Sequence, residues 1–147
     1  MKRRELRESI FKLLFIDDFN SDDEMPEQVS LYMDTLDENY ESTDAQDRSY
    51  IERKYEHIRD HREDIDQLIK KSATGWKLNR MSKVDLSILR LAIYEMIYDD
   101  EIPVKVAINE AVELAKRFGG DTSASFINGI LGKVVRDRFP ESPEEEL

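Results

Sequence analysis

The stretch that decides the fold lies in the second half of the chain and reads VDLSILRLAIYEMI, residues 84–97. Its apolar side chains are spread around most of a helix instead of along one stripe, which is typical of a helix buried on nearly all sides. We therefore expect this helix at the centre of a helical bundle. Ser82, just before it, is a favourable N-cap residue.

Two further helices are predicted after this segment. Pro103 begins a run in which apolar residues recur at helical spacing, and Gly119 ends it. Asp121 or Thr122 then caps a last helix that extends through Phe139. Both helices carry a broad apolar face, so we expect them to pack against the central helix.

The first half of the chain also has helical periodicity. Helices are predicted over residues 3–18, from Pro26 onwards, and over a long span of about 45–72 capped by Asp44. Residues 37–43 break the pattern, and a short stretch surrounds Trp76. The sequence thus predicts an all-α protein of six or seven helices, with one domain over residues 1–139 and an acidic tail, 140–147, expected to be disordered.

Composition narrows the class of protein. Of the 147 residues, 39% are hydrophobic and 37% charged, which is typical of a globular chain with a heavily solvated surface. The chain contains no cysteine, so disulfides, cysteine-based zinc sites and thiol nucleophiles are excluded. No apolar run is long enough to span a bilayer, and the basic N-terminus lacks the apolar core of a secretory signal. We expect a cytoplasmic protein without a membrane span.

Charge is distributed unevenly along the chain. The formal net charge is -11, yet residues 1–12 hold five basic and two acidic residues. Residues 17–67 hold five basic and eighteen acidic residues, whereas residues 68–139 hold twelve basic and nine acidic ones. Because charges more than about 8 Å apart are largely screened at physiological salt, a local basic patch can bind phosphate on an acidic protein. We interpret the acidic middle as solvated helix surface.

The first helix combines basic residues with aromatic rings. Its basic side chains are Lys2, Arg3, Arg4, Arg7 and Lys12. Arg4, Arg7, Phe11 and Phe15 are spaced to share one helix face. Guanidinium groups hold phosphates and stack on bases, and phenyl rings stack on unpaired bases, so this face is a candidate nucleic-acid site. In the alternative interpretation, both phenylalanines are core residues and the arginines only solubilise the helix.

A second candidate site is the loop over residues 119–126, GGDTSASF. It ends at a helix N-terminus, where free backbone N–H groups and hydroxyls favour an anion. Thr122 and Ser123 could equally serve as plain N-cap residues, and Phe126 could belong to the core.

The sequence contains no recognisable catalytic or metal-binding constellation. His57 and His61 have the spacing of a helical zinc motif, but the glutamate that such a motif uses as its base is missing. No serine stands at a recognised spacing from a histidine or lysine, and no glycine-rich phosphate loop is present. We therefore expect no enzyme activity, no metal and no cofactor.

Four blocks of sequence resemble the NusB family. They are IPVKVAINEAVELAKRFG at 102–119, SASFINGIL at 123–131, VDLSILRLAIYE at 84–95 and RELRESIFKLLF at 4–15. The blocks occur in the family's order and spacing, and they cover residues 4–16 and about 76–135. Residues 20–70 add little beyond length and helical pattern.

The resemblance implies a helical protein of two subdomains that takes part in transcription antitermination. Such a protein binds single-stranded boxA RNA of ribosomal RNA leaders together with NusE, a ribosomal protein of the small subunit. The pair joins other Nus factors on RNA polymerase and suppresses termination. The implied RNA-binding residues are Arg3, Arg4, Arg7, Thr122, Ser123 and Phe126, to which the basic face adds Lys2 and Lys12. The implied NusE contacts are Phe15 and Asp85.

Two other interpretations are left open. The chain could be a protein-interaction module without specific RNA binding, self-associating through the first helix into a homodimer. It could also resemble the NusB-like domain of ribosomal RNA methyltransferases, but residues 1–147 contain no cofactor-binding domain after it. Binding to RNA, alone and with NusE, distinguishes these alternatives.

Overall fold

A computed structural model describes residues 1–40 and 43–139. Within these ranges the regular structure consists of eight α-helices and one 3₁₀ turn. The helices are α1 (Arg3–Asp17), α2 (Met25–Asp34), α3 (Leu36–Asn39), α4 (Ala45–Asp60), α5 (Arg62–Ser72), α6 (Lys83–Tyr98), α7 (Val104–Phe118) and α8 (Ser123–Arg138). The predicted all-α class is confirmed, with eight helices instead of six or seven.

The chain divides into two compact units, which agrees with the two expected subdomains. The N-terminal unit is Met1–Asp60 and the C-terminal unit is His61–Leu147. The proposed acidic tail, 140–147, lies outside the described residues. No helix in the described part of the chain is long and apolar enough to span a membrane.

In the N-terminal unit, α1 packs against α2 and α4. Helix α1 contributes four buried apolar side chains to the core of this unit, Ile10, Phe11, Leu13 and Leu14. Asp44 caps α4 as predicted, because its carboxylate accepts the backbone N–H of Asp47 at 2.8 Å. The expected break after Leu36 is partly wrong, since one helical turn, α3, forms there.

The predicted long helix over 45–72 is wrong, because the chain interrupts it at His61. The backbone of His61 has φ -102° and ψ 5°, between the end of α4 and the start of α5. Neither glycine nor proline marks the break. Ile58 and Ile65, on either side of it, are seven residues apart and so stay in phase for one continuous helix. The His61 ring instead packs on Tyr98, with centroids 4.0 Å apart, a tertiary contact that periodicity does not reveal.

In the C-terminal unit, α6 is the central helix, as predicted. Every residue from Leu86 to Met96 is buried, and α6 packs against α5, α7 and α8. Ser82 caps α6, because its hydroxyl accepts the backbone N–H of Asp85 at 3.0 Å. These three surrounding helices position the loop that joins α7 to α8.

Candidate nucleic-acid interface

The first turn of α1 presents a run of cations. Lys2, Arg3 and Arg4 are exposed, and Arg7 is partly buried. The helix begins here because the carboxylate of Glu5 accepts the backbone N–H of Lys2 at 2.8 Å. Positive charge at a helix N-terminus opposes the helix dipole, at a cost of about 0.3–1 kcal/mol per exposed charge. The basic turn is therefore not explained by helix stability and is suited to an anionic partner.

The aromatic residues of α1 do not form the single basic and aromatic face that the spacing allows. Phe11 is only 3% exposed, so it belongs to the core and cannot stack on a base. Phe15 is half-buried and meets Phe19 edge to face, with centroids 5.0 Å apart. Phe19 is 61% exposed. Because Arg4 and Phe15 are eleven residues apart, about 16 Å of helix separates the cations from these rings.

The side chain of Lys12 interacts with other residues of the N-terminal unit. Its Nζ lies 3.7 Å from the carboxylate of Glu8 and 5.7 Å from the centre of the Tyr40 ring. The Tyr40 hydroxyl donates to the same carboxylate at 3.0 Å. Burial raises the pKa of Tyr40 well above its ordinary value, which keeps this hydroxyl a donor. A phosphate contact from Lys12 stays a prediction, weakened by the nearby acid.

The loop between α7 and α8 is shaped by Gly119 and Ser123. A Cβ atom at Gly119 would lie 2.5 Å from the Ser123 side chain, so only glycine fits this close approach. Ser123 is buried, and its hydroxyl accepts the backbone N–H of Gly120 at 3.0 Å. Ser123 therefore holds the loop from inside. Thr122 occupies the N-cap position and is exposed, but its side chain makes no capping hydrogen bond.

Phe126 is only half-buried and forms an aromatic pair with Trp76. The two rings meet edge to face with centroids 5.3 Å apart, and Trp76 is 55% exposed. The alternative that Phe126 is a core residue is therefore wrong. Trp76 was not predicted as a site residue, although the only tryptophan of the chain, following Gly75 in a polar stretch, is a signal that could have pointed to it.

Asp85 lies half-buried in the first turn of α6. Its Oδ1 atom is buried and has no hydrogen-bond partner among the described residues. The buried oxygen is not accessible to a donor from a partner, so a NusE contact at Asp85 stays a prediction. Phe15 belongs to the other unit, so each is a separate candidate contact.

The histidine pair does not form the continuous helical motif that its spacing suggested. His57 lies in α4, whereas His61 follows the end of that helix. No group of three or more metal-ligating side chains occurs among residues 1–40 and 43–139. A cavity of about 100 Å³ between α5 and α8 is smaller than the usual site for a small-molecule ligand.

Comparison with known proteins identifies the family. Residues 4–136 match the NusB family. The transcription antitermination protein NusB of Lachnoclostridium phytofermentans is 50% identical over 135 residues, covering 92% of this chain and 99% of the relative. The protein of the same name from Acetivibrio thermocellus is 49% identical over 146 residues, covering 99% and 97%.

Solved structures share the fold over nearly the whole chain. The structure of T. maritima NusB aligns with a TM-score of 0.80 at 36% identity, covering 99% of this chain and 96% of the other. A crystal structure of antitermination factors NusB and NusE in complex with dsRNA aligns with a TM-score of 0.74 at 20% identity, covering 92% and 96%. The chain belongs to the NusB family of transcription antitermination proteins, a non-enzymatic family.

Proposed function

We propose that this chain binds single-stranded boxA RNA of ribosomal RNA leaders together with NusE, and that the pair joins other Nus factors on RNA polymerase to suppress termination. The observation that carries the proposal is the exposed basic turn at Lys2, Arg3 and Arg4 in a unit that is otherwise acidic. The NusB–NusE complex with dsRNA supports it at the level of the fold. An antitermination factor acts on nascent transcripts, so we place the protein in the cytoplasm.

The chemistry of the two sites suits an unpaired strand. Single-stranded RNA exposes base faces and base edges as well as phosphates. Arg3, Arg4 and Lys2 supply phosphate contacts, and Arg7 adds a further contact from the next turn. In the C-terminal unit, Phe126 offers a ring for stacking and Thr122 an exposed hydroxyl. Ser123 acts by holding the loop in shape.

The residues that we assign to NusE binding differ from those that we assign to RNA binding. Phe15, with exposed Phe19 beside it, forms an apolar contact at the far end of α1 from the cations. Asp85, half-buried in the first turn of α6, is assigned as the second NusE contact. Separation along α1 allows the RNA and the protein partner to be bound at the same time.

Binding measurements with purified components test the proposal. The chain should bind boxA RNA more tightly than a scrambled RNA of the same length, and NusE should increase that affinity. Phe15→Ala should remove about 1–2 kcal/mol of NusE binding, as truncation of an aromatic interface residue commonly does, without changing RNA binding by the chain alone. Leu31→Ala, an exposed apolar residue of α2, is the matched control. Equal affinity for boxA and scrambled RNA, with and without NusE, would refute boxA recognition.

The alternative is self-association through α1. It is favoured by the exposed apolar surface at Phe15 and Phe19. In that case sedimentation should show a homodimer that Phe15→Ala dissociates, and the wild-type chain should bind neither RNA. A monomer that binds boxA RNA argues against this alternative.

A further inference from the structure

The C-terminal unit carries a second cationic surface on residues 70–83, which comprise the end of α5, the segment that joins it to α6 and the first residue of α6. No acidic residue occurs between Asp66 and Asp85, although the chain contains 33 acidic and 22 basic residues. The basic residues within residues 70–83 are Lys70, Lys71, Lys77, Arg80 and Lys83. We call this segment, with the face of α8 that it contacts, the connector surface.

Four of the five cations within residues 70–83 are available to a ligand. All five of these basic side chains are exposed. Lys70, Lys71, Lys77 and Arg80 form no ion pair within the described part of the chain. In contrast, Arg48 and Arg59 of the N-terminal unit pair with carboxylates. Binding a phosphate here would therefore break no existing salt bridge of these four cations.

The connector is held against α8 at two points. Trp76 meets the ring of Phe126, and the hydroxyl of Thr74 lies 3.0 Å from the Nζ of Lys133, which donates to it. Phe126 and Lys133 are seven residues apart, or two helical turns and about 10 Å along α8. Gly75 makes the required turn with a φ of +86°.

Between these two contacts, α8 exposes its backbone at Gly129. Gly129 lies between Phe126 and Lys133 on the same helix face. A Cβ atom at Gly129 would meet nothing within 4 Å, so the space above it is open. The connector surface thus combines an exposed aromatic ring, open helix backbone and exposed cations.

We propose that the connector surface binds single-stranded RNA adjacent to the boxA element without regard to sequence, by stacking a base on Trp76 and holding phosphates with Lys77 and Arg80. This combination of exposed aromatic ring and unpaired cations is typical of surfaces that track a single strand, because every base has a face that can stack. The inference rests on the proposed function only in taking RNA as the ligand. A protein partner is a less suitable occupant, since it would need an acidic surface that also stacks on an exposed indole.

Trp76 is the only tryptophan of the chain, so its fluorescence reports directly on this surface. The full chain is titrated with a 12-nucleotide oligouridine, while the anisotropy of the labelled RNA measures binding independently. We expect bound RNA to quench Trp76. Each phosphate contact on a single strand contributes about 0.7 to the salt slope, or about 5-fold in affinity at 0.1 M salt, so K77A/R80A should weaken binding about 25-fold. The control R53A/K105A removes two exposed cations elsewhere and should bind as the wild type does.

A second titration separates this inference from the proposed function. The boxA element is compared with the same element extended by uridines, and the extension should increase affinity for the wild type but not for K77A/R80A. If boxA binds but the uridine extension adds no affinity for the wild type, the connector surface is refuted and boxA recognition stands. If oligouridine quenches Trp76 but boxA has no advantage over a scrambled RNA, the connector surface stands and boxA recognition fails. Absence of any RNA binding overturns both.

Discussion

The N-terminal and C-terminal units bury opposite members of an arginine–aspartate pair. In the N-terminal unit the acid is buried: Asp17 is 4% exposed, accepts a hydrogen bond from the Tyr55 hydroxyl at 2.8 Å and forms an ion pair with Arg59 at 3.1 Å. In the C-terminal unit the base is buried: Arg90 is 5% exposed and donates to both carboxylate oxygens of Asp66, at 2.9 and 3.0 Å.

This difference between the two units shows where each has exposed basic side chains that a ligand could contact. The N-terminal unit uses Arg48 and Arg59 to neutralise carboxylates, and its largest group of exposed cations lies at the start of α1. The C-terminal unit has only one strongly buried arginine and leaves the cations of the connector surface exposed. The net charge of -11 therefore does not indicate which surface an RNA would contact.

The largest effect is expected from breaking the two buried pairs. Asp66→Ala leaves the buried guanidinium of Arg90 without its bidentate partner, which should lower the free energy of unfolding by about 3–5 kcal/mol. Arg59→Ala should cost only about 1–3 kcal/mol, because Asp17 keeps the Tyr55 hydroxyl and a carboxylate can take up a proton whereas a guanidinium stays charged. Urea denaturation measures both.

Asp64→Ala, an exposed change on the same helix as Asp66, is the control and should stay within about 0.5 kcal/mol of the wild type. If Arg59→Ala destabilises the protein as much as Asp66→Ala, the contrast between a buried acid and a buried base is wrong.

A smaller effect is expected at the loop before α8, where two adjacent glycines differ in their surroundings. A methyl group at Gly119 would overlap Ser123 and the carbonyl of Ala115, so Gly119→Ala should destabilise the C-terminal unit by about 1–3 kcal/mol and weaken RNA binding. Gly120→Ala meets nothing within 4 Å and should be nearly neutral. Equal stability of the two variants by thermal denaturation would show that the close approach does not constrain this loop.

The sequence predicted the C-terminal unit better than the N-terminal one. The apolar run of α6, its Ser82 cap and the end of α7 at Gly119 are local signals, and the structure confirms them. The interruption at His61 could not be predicted, because it depends on a tertiary contact with Tyr98 and leaves the apolar phase intact.

The candidate site was predicted only in part, because its local features can be read from the sequence and its tertiary contacts cannot. Residue type and spacing identified the basic turn of α1 and the loop at Gly119. They could not show that Phe11 is buried, since an amphipathic helix has the same spacing whichever face packs inward. Trp76 reaches Phe126 across about fifty residues of sequence, and such a contact is visible only in the fold.

The most direct test of the central claim, that local cations let an acidic protein bind RNA, is the salt dependence of boxA affinity. The logarithm of the association constant should fall linearly with the logarithm of salt concentration, by about 0.7 for each phosphate neutralised. Replacing the two exposed arginines in Arg3→Ala/Arg4→Ala should flatten the slope by about 1.4, while R53A/K105A leaves it unchanged. A slope that is the same in Arg3→Ala/Arg4→Ala as in the wild type, or an affinity that rises with salt as overall repulsion requires, would contradict the claim.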